Sequence, residues 1–439
     1  MSVIAGLPFH ELHVDASGKI ATPGLPAFDN GVTDVIFLSH GWKNDHDAAT
    51  KLYTDLISNM GSIAPQRFKS PEVAIVGIFW PAFRYRPDMT LLPIEHQSDD
   101  AGGVAGFSDD EIENEKLEAY AKGFARHMGL DANHFAALAM RAADGGEAAE
   151  SFLSDIRKIL LEDSPDAEVK RQHAALLEVP GDELLEILAT GGELTVHDPA
   201  SGNEETLAGF SDRRRGGWFR LSGAKAAVAS ILNQATYFEM KKRAGTVGSQ
   251  LGLLLKKSGL SEKRIHLVGH SFGARVVTSV ANEMPANSIS TLALLQGAFS
   301  HNGFGRQIGA DLLDGHFRKV VSEKVVSGPV LVTHTHKDTA VSLFYAVAST
   351  AAGDVTAGFT GTSLIGGPDD LHGGIGANGA LNLDESEVVD HSVMKGGQIG
   401  LVRGKVNNVM VDEIVSNHND VTNREVAELV ASAISKTMT

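Results

Sequence analysis

Ser271 lies in the run Arg264-Ile-His-Leu-Val-Gly-His-Ser-Phe-Gly-Ala-Arg-Val-Val277, between two glycines, with an apolar stretch before it and a helix-compatible stretch after it. A G-x-S-x-G run in that context predicts a tight strand-to-helix turn. Such a turn pushes the hydroxyl out above the strand ends, and Gly269 and Gly273 leave the room that larger side chains would fill. The helix that follows points its leading amides at the same spot, where they favour developing negative charge. Ser271 is therefore the candidate nucleophile. The alternative is a glycine-rich turn with a serine that only caps the helix.

A serine hydroxyl is a weak nucleophile at its own pKa, so this reading requires an imidazole base and an acid to orient the imidazole. Downstream, Pro329 to Thr333 reads as a strand running into His334-Thr-His336-Lys-Asp338. Asp338, just past the strand's carboxyl end, is the candidate orienting acid; the competing role is N-cap of a helix over 339–347. Asp354 and Asp369 are reserves. Val406 to Val411 reads as the last strand, and His418 follows it ahead of a closing helix from about Asn423. His418 is the candidate base, with His391 in reserve.

Acyl chemistry also needs amide donors for an oxyanion. One is expected from Phe272, the residue after the nucleophile. The second is expected where an early strand ends, in Val35-Ile-Phe-Leu-Ser-His40-Gly41-Trp42. Trp42 is the expected donor and Gly41 its neighbour; a buried tryptophan in a strand-end turn is the plainer reading.

These residues have to be positioned by something. Strand-length apolar runs recur at Asp34 to Leu38, Val73 to Trp80, Arg264 to Val268, Ser290 to Leu295, Pro329 to Thr333 and Val406 to Val411. Helical stretches lie between several of them, notably Ala224 to Lys257 and Gly273 to Glu283, and another closes the chain from Asn423 to Ile434. That alternation predicts an α/β protein with a doubly wound, mostly parallel sheet covered on both faces. The glycine-rich stretch Gly353 to Gly379 reads as a long ordered loop.

The 439-residue chain carries 38 Lys and Arg against 55 Asp and Glu, a net charge of −17. Between Glu95 and Glu205 there are 26 acidic and 8 basic residues, so this segment holds essentially all of the net charge. The shift predicts residues 86–221 as an acidic, mainly helical insertion, a cap, within a core of 1–85 and 222–439. Glu115 to Met128 and Glu150 to Leu161 have helical period. Ser108 with Glu111, and Ser164 before Pro165, supply helix starts. Phe135, Leu138, Phe152, Leu160 and Leu161 are its expected apolar face, and Arg213 to Phe219 its closing connector.

Taken together, His40-Gly41-Trp42, Phe79-Trp80-Pro81, Gly269-His-Ser-Phe-Gly273, the Lys337-Asp338 loop and His418-Asn-Asp420 resemble the α/β-hydrolase superfamily, especially bacterial serine esterases and lipases. The resemblance covers roughly residues 30–85 and 225–439. It implies the α/β-hydrolase fold, a Ser271, Asp338 and His418 triad, and hydrolysis of small-molecule or lipid carboxylic esters through an acyl-enzyme, with no metal or organic cofactor. The chain departs from the family in carrying its insert before the nucleophile strand rather than after a later one.

Two other readings stay open. His334, His336 and Asp338 come close to the H-x-H-x-D-H ligand run of binuclear metal-dependent hydrolases, and His40, Asp45, His46 and Asp47 could gather around a cation. A non-catalytic binding protein on the same fold is the other. The acidity argues against nucleic acid as a partner, and no apolar run reaches spanning length, although peripheral membrane contact is left open. The start of the chain lacks a standard signal pattern, so a cytoplasmic location is the default expectation. The absence of cysteine excludes thiolate chemistry and disulfides.

Overall fold

Six of the nine strands of the main sheet are apolar runs whose residues are buried almost throughout, as expected of parallel strands covered on both faces. The computed structural model describes residues 2–21, 24–41, 44–82, 109–161, 181, 185, 195–197, 204–206, 223–309, 312–338, 368, 373–397 and 399–438. The strands are β1 (Ser2–Ile4), β2 (Leu7–His13), β3 (Asp34–Ser39), β4 (Val73–Phe79), β5 (Arg264–His270), β6 (Thr291–Leu295), β7 (Val330–His334), β8 (Val388–Ser392) and β9 (Val406–Met410). Their spatial order is β1-β2-β4-β3-β5-β6-β7-β9-β8, and every neighbouring pair is parallel except β1 with β2. The protein is thus of the α/β class, with a mostly parallel sheet and flanking helices.

The antiparallel pair is a hairpin turned by Ala5 and Gly6, both at positive φ (52° and 85°), which matches the twist that a two-residue connection needs. Three strands, β1, β2 and β8, are additional to the six expected from sequence. On one sheet face, α1 (His46–Ile63) and the closing helix (Arg424–Ser435) share a core with Ile36, Leu38, Val268, Ala293, Leu295 and Val409. The helix Phe272–Glu283 packs on β3, β5 and β6. Asp34 at the start of β3 receives Arg264 through Nε (2.7 Å) and Nη2 (2.6 Å), and His266 lies 3.1 Å away, so β3 and β5 are locked side by side. Burial pushes the Asp34 carboxyl up, but the bonds from His266, Arg264 and Thr33 outweigh it and hold the group well below the usual carboxylate range.

The chain divides into two compact units. Residues Met1–Arg84, Met240–Val347 and Gly361–Thr439 make the first, which holds the main sheet; Tyr85–Glu239 with Ala348–Thr360 make the second. In the second, Asp109–His127, Ala132–Ala142 and Gly146–Leu161 are helices. Phe135 is buried between Phe124 and Phe152, at ring-centroid distances of 5.4 and 5.7 Å, and Leu138 is buried beside them. Asp131 caps the middle helix by accepting from the His134 amide (2.7 Å). The side chains of Leu160 and Leu161, the starts at Ser108 and Ser164, and the connector Arg213 to Phe219 lie outside the described residues, as do most of residues 353–372 and the expected helix over 339–347. No helix among the described residues is long and apolar enough to cross a membrane.

Candidate active site

β5 ends at His270, and the next residue, Ser271, takes φ 57° and ψ −124° before the helix Phe272–Glu283 begins. A non-glycine residue in this region is strained by about 1–3 kcal/mol, and the surroundings hold it there. The Ser271 amide donates to the Leu295 carbonyl (3.0 Å), and the Ser271 carbonyl accepts from Ala274 (3.0 Å) and Ala298 (3.1 Å). The flanking glycines are steric requirements. A Cβ on Gly273 would run into the backbone of Ser39 and His40, and one on Gly269 into the backbone of Gly273.

The structure brings Ser271, His418 and Asp338 together. His418 Nε2 lies 2.9 Å from Ser271 Oγ, and His418 Nδ1 lies 2.8 Å from Asp338 Oδ2. Because a carboxylate only accepts, Nδ1 carries the proton toward Asp338, which leaves Nε2 as acceptor for the serine hydroxyl. The Asp338 side chain is fully buried and that of His418 is 15 % exposed.

Each partner follows a parallel strand, Asp338 after β7 and His418 after β9. Beyond β7, the Thr335 amide donates to the Gly376 carbonyl (2.9 Å) and the Asp338 amide to the Thr335 carbonyl (3.1 Å), closing the turn that presents the acid. Beyond β9, Asn423 both caps the closing helix at Val426 (2.9 Å) and donates to the Ile414 carbonyl (2.9 Å). Asp420 accepts from the Ser416 amide (3.0 Å), so the loop carrying His418 is tied across itself.

Three further residues shape this arrangement: Asp412, which the sequence did not single out, and His270 and His40, which it placed in motifs without these contacts. Asp412, two residues past β9, accepts from Thr335 Oγ1 (2.7 Å) and the His336 amide (3.0 Å) and pairs with His336 Nδ1 (2.8 Å); its carbonyl takes Lys337 Nζ (2.6 Å). The turn carrying Asp338 is therefore fastened to the end of the strand that leads into the loop carrying His418. Burial raises the Asp412 carboxyl, and the bonds from His336 and Thr335 more than reverse that. His270, the x of the serine motif, donates from Nε2 to the His418 carbonyl (2.9 Å). Burial lowers His270 to about 3, so it stays a neutral donor.

The third is His40, at the end of β3. Its amide donates to Tyr53 Oη (2.9 Å), its carbonyl accepts from Trp80 Nε1 (3.1 Å), and its Nδ1 donates to the Gly41 carbonyl (3.0 Å). Trp80 stacks on the ring at 5.7 Å. Burial lowers His40 to about 4. The turn so fixed holds Gly41 against the elbow: a Cβ on Gly41 would lie 2.7 Å from Ser271 Cβ.

Phe272 is buried and heads its helix. Trp42, expected as the second oxyanion donor, lies outside the described residues, as do the reserves Asp354 and Asp369. The reserve His391 faces Asn407 on the sheet edge instead (3.2 Å). Of the residues in the metal readings, His336 engages Asp412 while Asp338 engages His418, and His334 Nδ1 is buried with no hydrogen-bond partner among the described residues. Likewise His40 turns to its own strand end, Asp45 caps α1 through the Ala48 amide (2.9 Å), and His46 faces Glu11 (3.1 Å).

No protein-family model, curated protein or solved structure matches the chain, so its chemistry has to be argued from this geometry.

Proposed function

We propose that the chain is a serine hydrolase of the α/β-hydrolase type, cleaving carboxylic esters of small molecules or lipids through an acyl-enzyme, with residues 86–221 as an insertion in the chain. The observation that carries this reading is the unbroken relay from Ser271 Oγ to His418 Nε2 (2.9 Å) and from His418 Nδ1 to Asp338 (2.8 Å), built on a strained elbow. His418 takes the hydroxyl proton as Ser271 attacks the ester carbonyl, and Asp338 stabilises the resulting imidazolium and keeps its tautomer. The Phe272 amide supports the oxyanion from the helix start, joined by the amide of Trp42 or of its neighbour Gly41. His418 returns the proton to the leaving alcohol, and a water activated by the same imidazole releases the acid.

The test is labelling of the intact chain by a fluorophosphonate, combined with turnover of p-nitrophenyl esters from short to long acyl chains. Ser271→Ala should fold, resist labelling and lose several orders of magnitude in kcat. A wild-type chain inert to both reagents, or a Ser271→Ala chain that keeps full turnover, would overturn the proposal in favour of a binding protein or of different chemistry.

A further inference from the structure

A second group of chemically capable side chains lies away from Ser271, where β2 ends and α1 begins. Strand alternation sets Glu11 and His13 on the same face of β2, and His46, the first residue of α1, comes up to them from the far end of the β3–α1 connection. Both imidazoles address one atom: His13 Nε2 and His46 Nε2 lie 2.8 and 3.1 Å from Glu11 Oε2. One nitrogen or oxygen from each of the three residues lies within 4.8 Å of the others.

The rings are held for this. Phe79 stacks on His46 at 4.6 Å and on His13 at 5.2 Å, and the two imidazole planes are within 4° of parallel. His13 is also paired with Phe79 through the sheet. Asp47 stands 3.6 Å from His46 Nδ1, leaving Nε2 turned toward the other two groups.

We infer that Glu11, His13 and His46 form a binding site for one zinc-class divalent cation that clamps the β3–α1 connection to the end of β2. Zinc bonds of about 2.0–2.1 Å in a tetrahedron place neighbouring ligand atoms about 3.3 Å apart. The present spacings from Glu11 therefore need to open by only a few tenths of an ångström. Two imidazoles and one carboxylate suit zinc and its soft neighbours, while calcium and magnesium prefer all-oxygen shells. The side chains of Glu11, His13 and His46 are 32 %, 41 % and 50 % exposed, so solvent can fill the fourth position and the ion can exchange. On binding, the cation takes the place of the hydrogen bonds between each Nε2 and Glu11, and the single proton of each neutral imidazole moves to its Nδ1, which in His46 faces Asp47.

The experiment uses the full chain, stripped with chelator and desalted. Titration with zinc, followed by calorimetry and metal analysis, should give one ion per chain and a Tm raised by several degrees; equal additions of calcium or magnesium should leave Tm unchanged. Cobalt(II) should give the visible bands of a four- or five-coordinate site. His13→Ala and Glu11→Gln, each compared with its own metal-free Tm, should weaken zinc binding at least tenfold and abolish the cobalt bands. Unaltered zinc affinity in both variants, a calcium response equal to that of zinc, or the lack of a stoichiometric site in the wild type would each overturn the inference. The cobalt spectrum of the wild type decides the matter even if a variant fails to fold.

Discussion

Replacing Gly41 by alanine tests how closely the turn after β3 fits the nucleophile elbow. The added Cβ would stand 2.7 Å from Ser271 Cβ, 3.1 Å from the His270 carbonyl oxygen and 3.2 Å from His270 Nδ1. Ordinary carbon contacts are about 3.5–4.0 Å, so something must yield by about 1 Å. Neither side yields easily: the elbow is held by Leu295, Ala274 and Ala298, and the turn by Tyr53, Trp80 and its own histidine. Gly41 is not at positive φ, so alanine brings no backbone penalty of its own. A misplacement of about 1 Å at a reacting group costs about 10²-fold in rate, or about 2.7 kcal/mol, while overpacking should lower stability by about 1–3 kcal/mol. The assay is kcat/KM on a short p-nitrophenyl ester and the second-order rate of fluorophosphonate labelling, with Tm measured alongside. Gly400→Ala, at an exposed site with nothing within 4 Å, is the neutral control. A folded Gly41→Ala chain that keeps both rates within threefold of wild type would refute the reasoning.

Three further outcomes are expected. Ser271→Gly, by relieving a side chain held at φ 57°, should raise stability by about 1 kcal/mol and Tm by a few degrees while ending activity; a lowered Tm would contradict stored strain. His270→Phe keeps a ring in place but removes the donor to the His418 carbonyl, and should reduce kcat about fivefold through a lost bond of about 1 kcal/mol with KM little changed; an unaltered kcat counts against a positioning role. Burial lowers His40 to about 4, His270 to about 3 and His334 to about 4, whereas unfolded histidine titrates near about 6.5. Below that value the unfolded chain binds more protons, so the stability these neutral imidazoles contribute is present above about pH 6.5 and lost as pH falls toward 4. His46, raised by its bond to Glu11, works in the other direction. Urea unfolding at pH 7, 6 and 5 should show a net slope of about two to three protons, each worth about 1.4 kcal/mol per pH unit; a flat profile would exclude the effect.

The central strands could be read from sequence because burial on both faces leaves them rich in apolar residues, most plainly Val-Ala-Ile-Val-Gly-Ile-Phe in β4. β2 and β8 escape such a reading because they lie toward the edges. Leu-Pro-Phe-His-Glu-Leu-His and Val-Val-Asp-His-Ser are half-exposed and carry proline, histidine or acid where a core strand would not. Ser271 was legible from its glycines, and His418 and Asp338 from their places after strands. The contacts of Asp412 with Thr335 and His336, of His270 with the His418 carbonyl and of His40 with Tyr53 and Trp80 were not, because they join residues far apart in the chain. The grouping of Glu11 and His13 with His46 depends on β2 pairing with β4 beside β3, a neighbour relation that spacing along the chain does not contain.

The turn before Asp338 and the stretch from Gly373 onward hang on the same frame. The former is held by Asp412 and by the Thr335 amide on Gly376, and the latter by the Gly376 amide on Gly297 (3.0 Å) and the Ile375 amide on Phe299 (2.8 Å). Asp412 grips Thr335, His336 and Lys337 at once. One substitution there would slacken three ties together, which makes position 412 a narrow waist between the two loops.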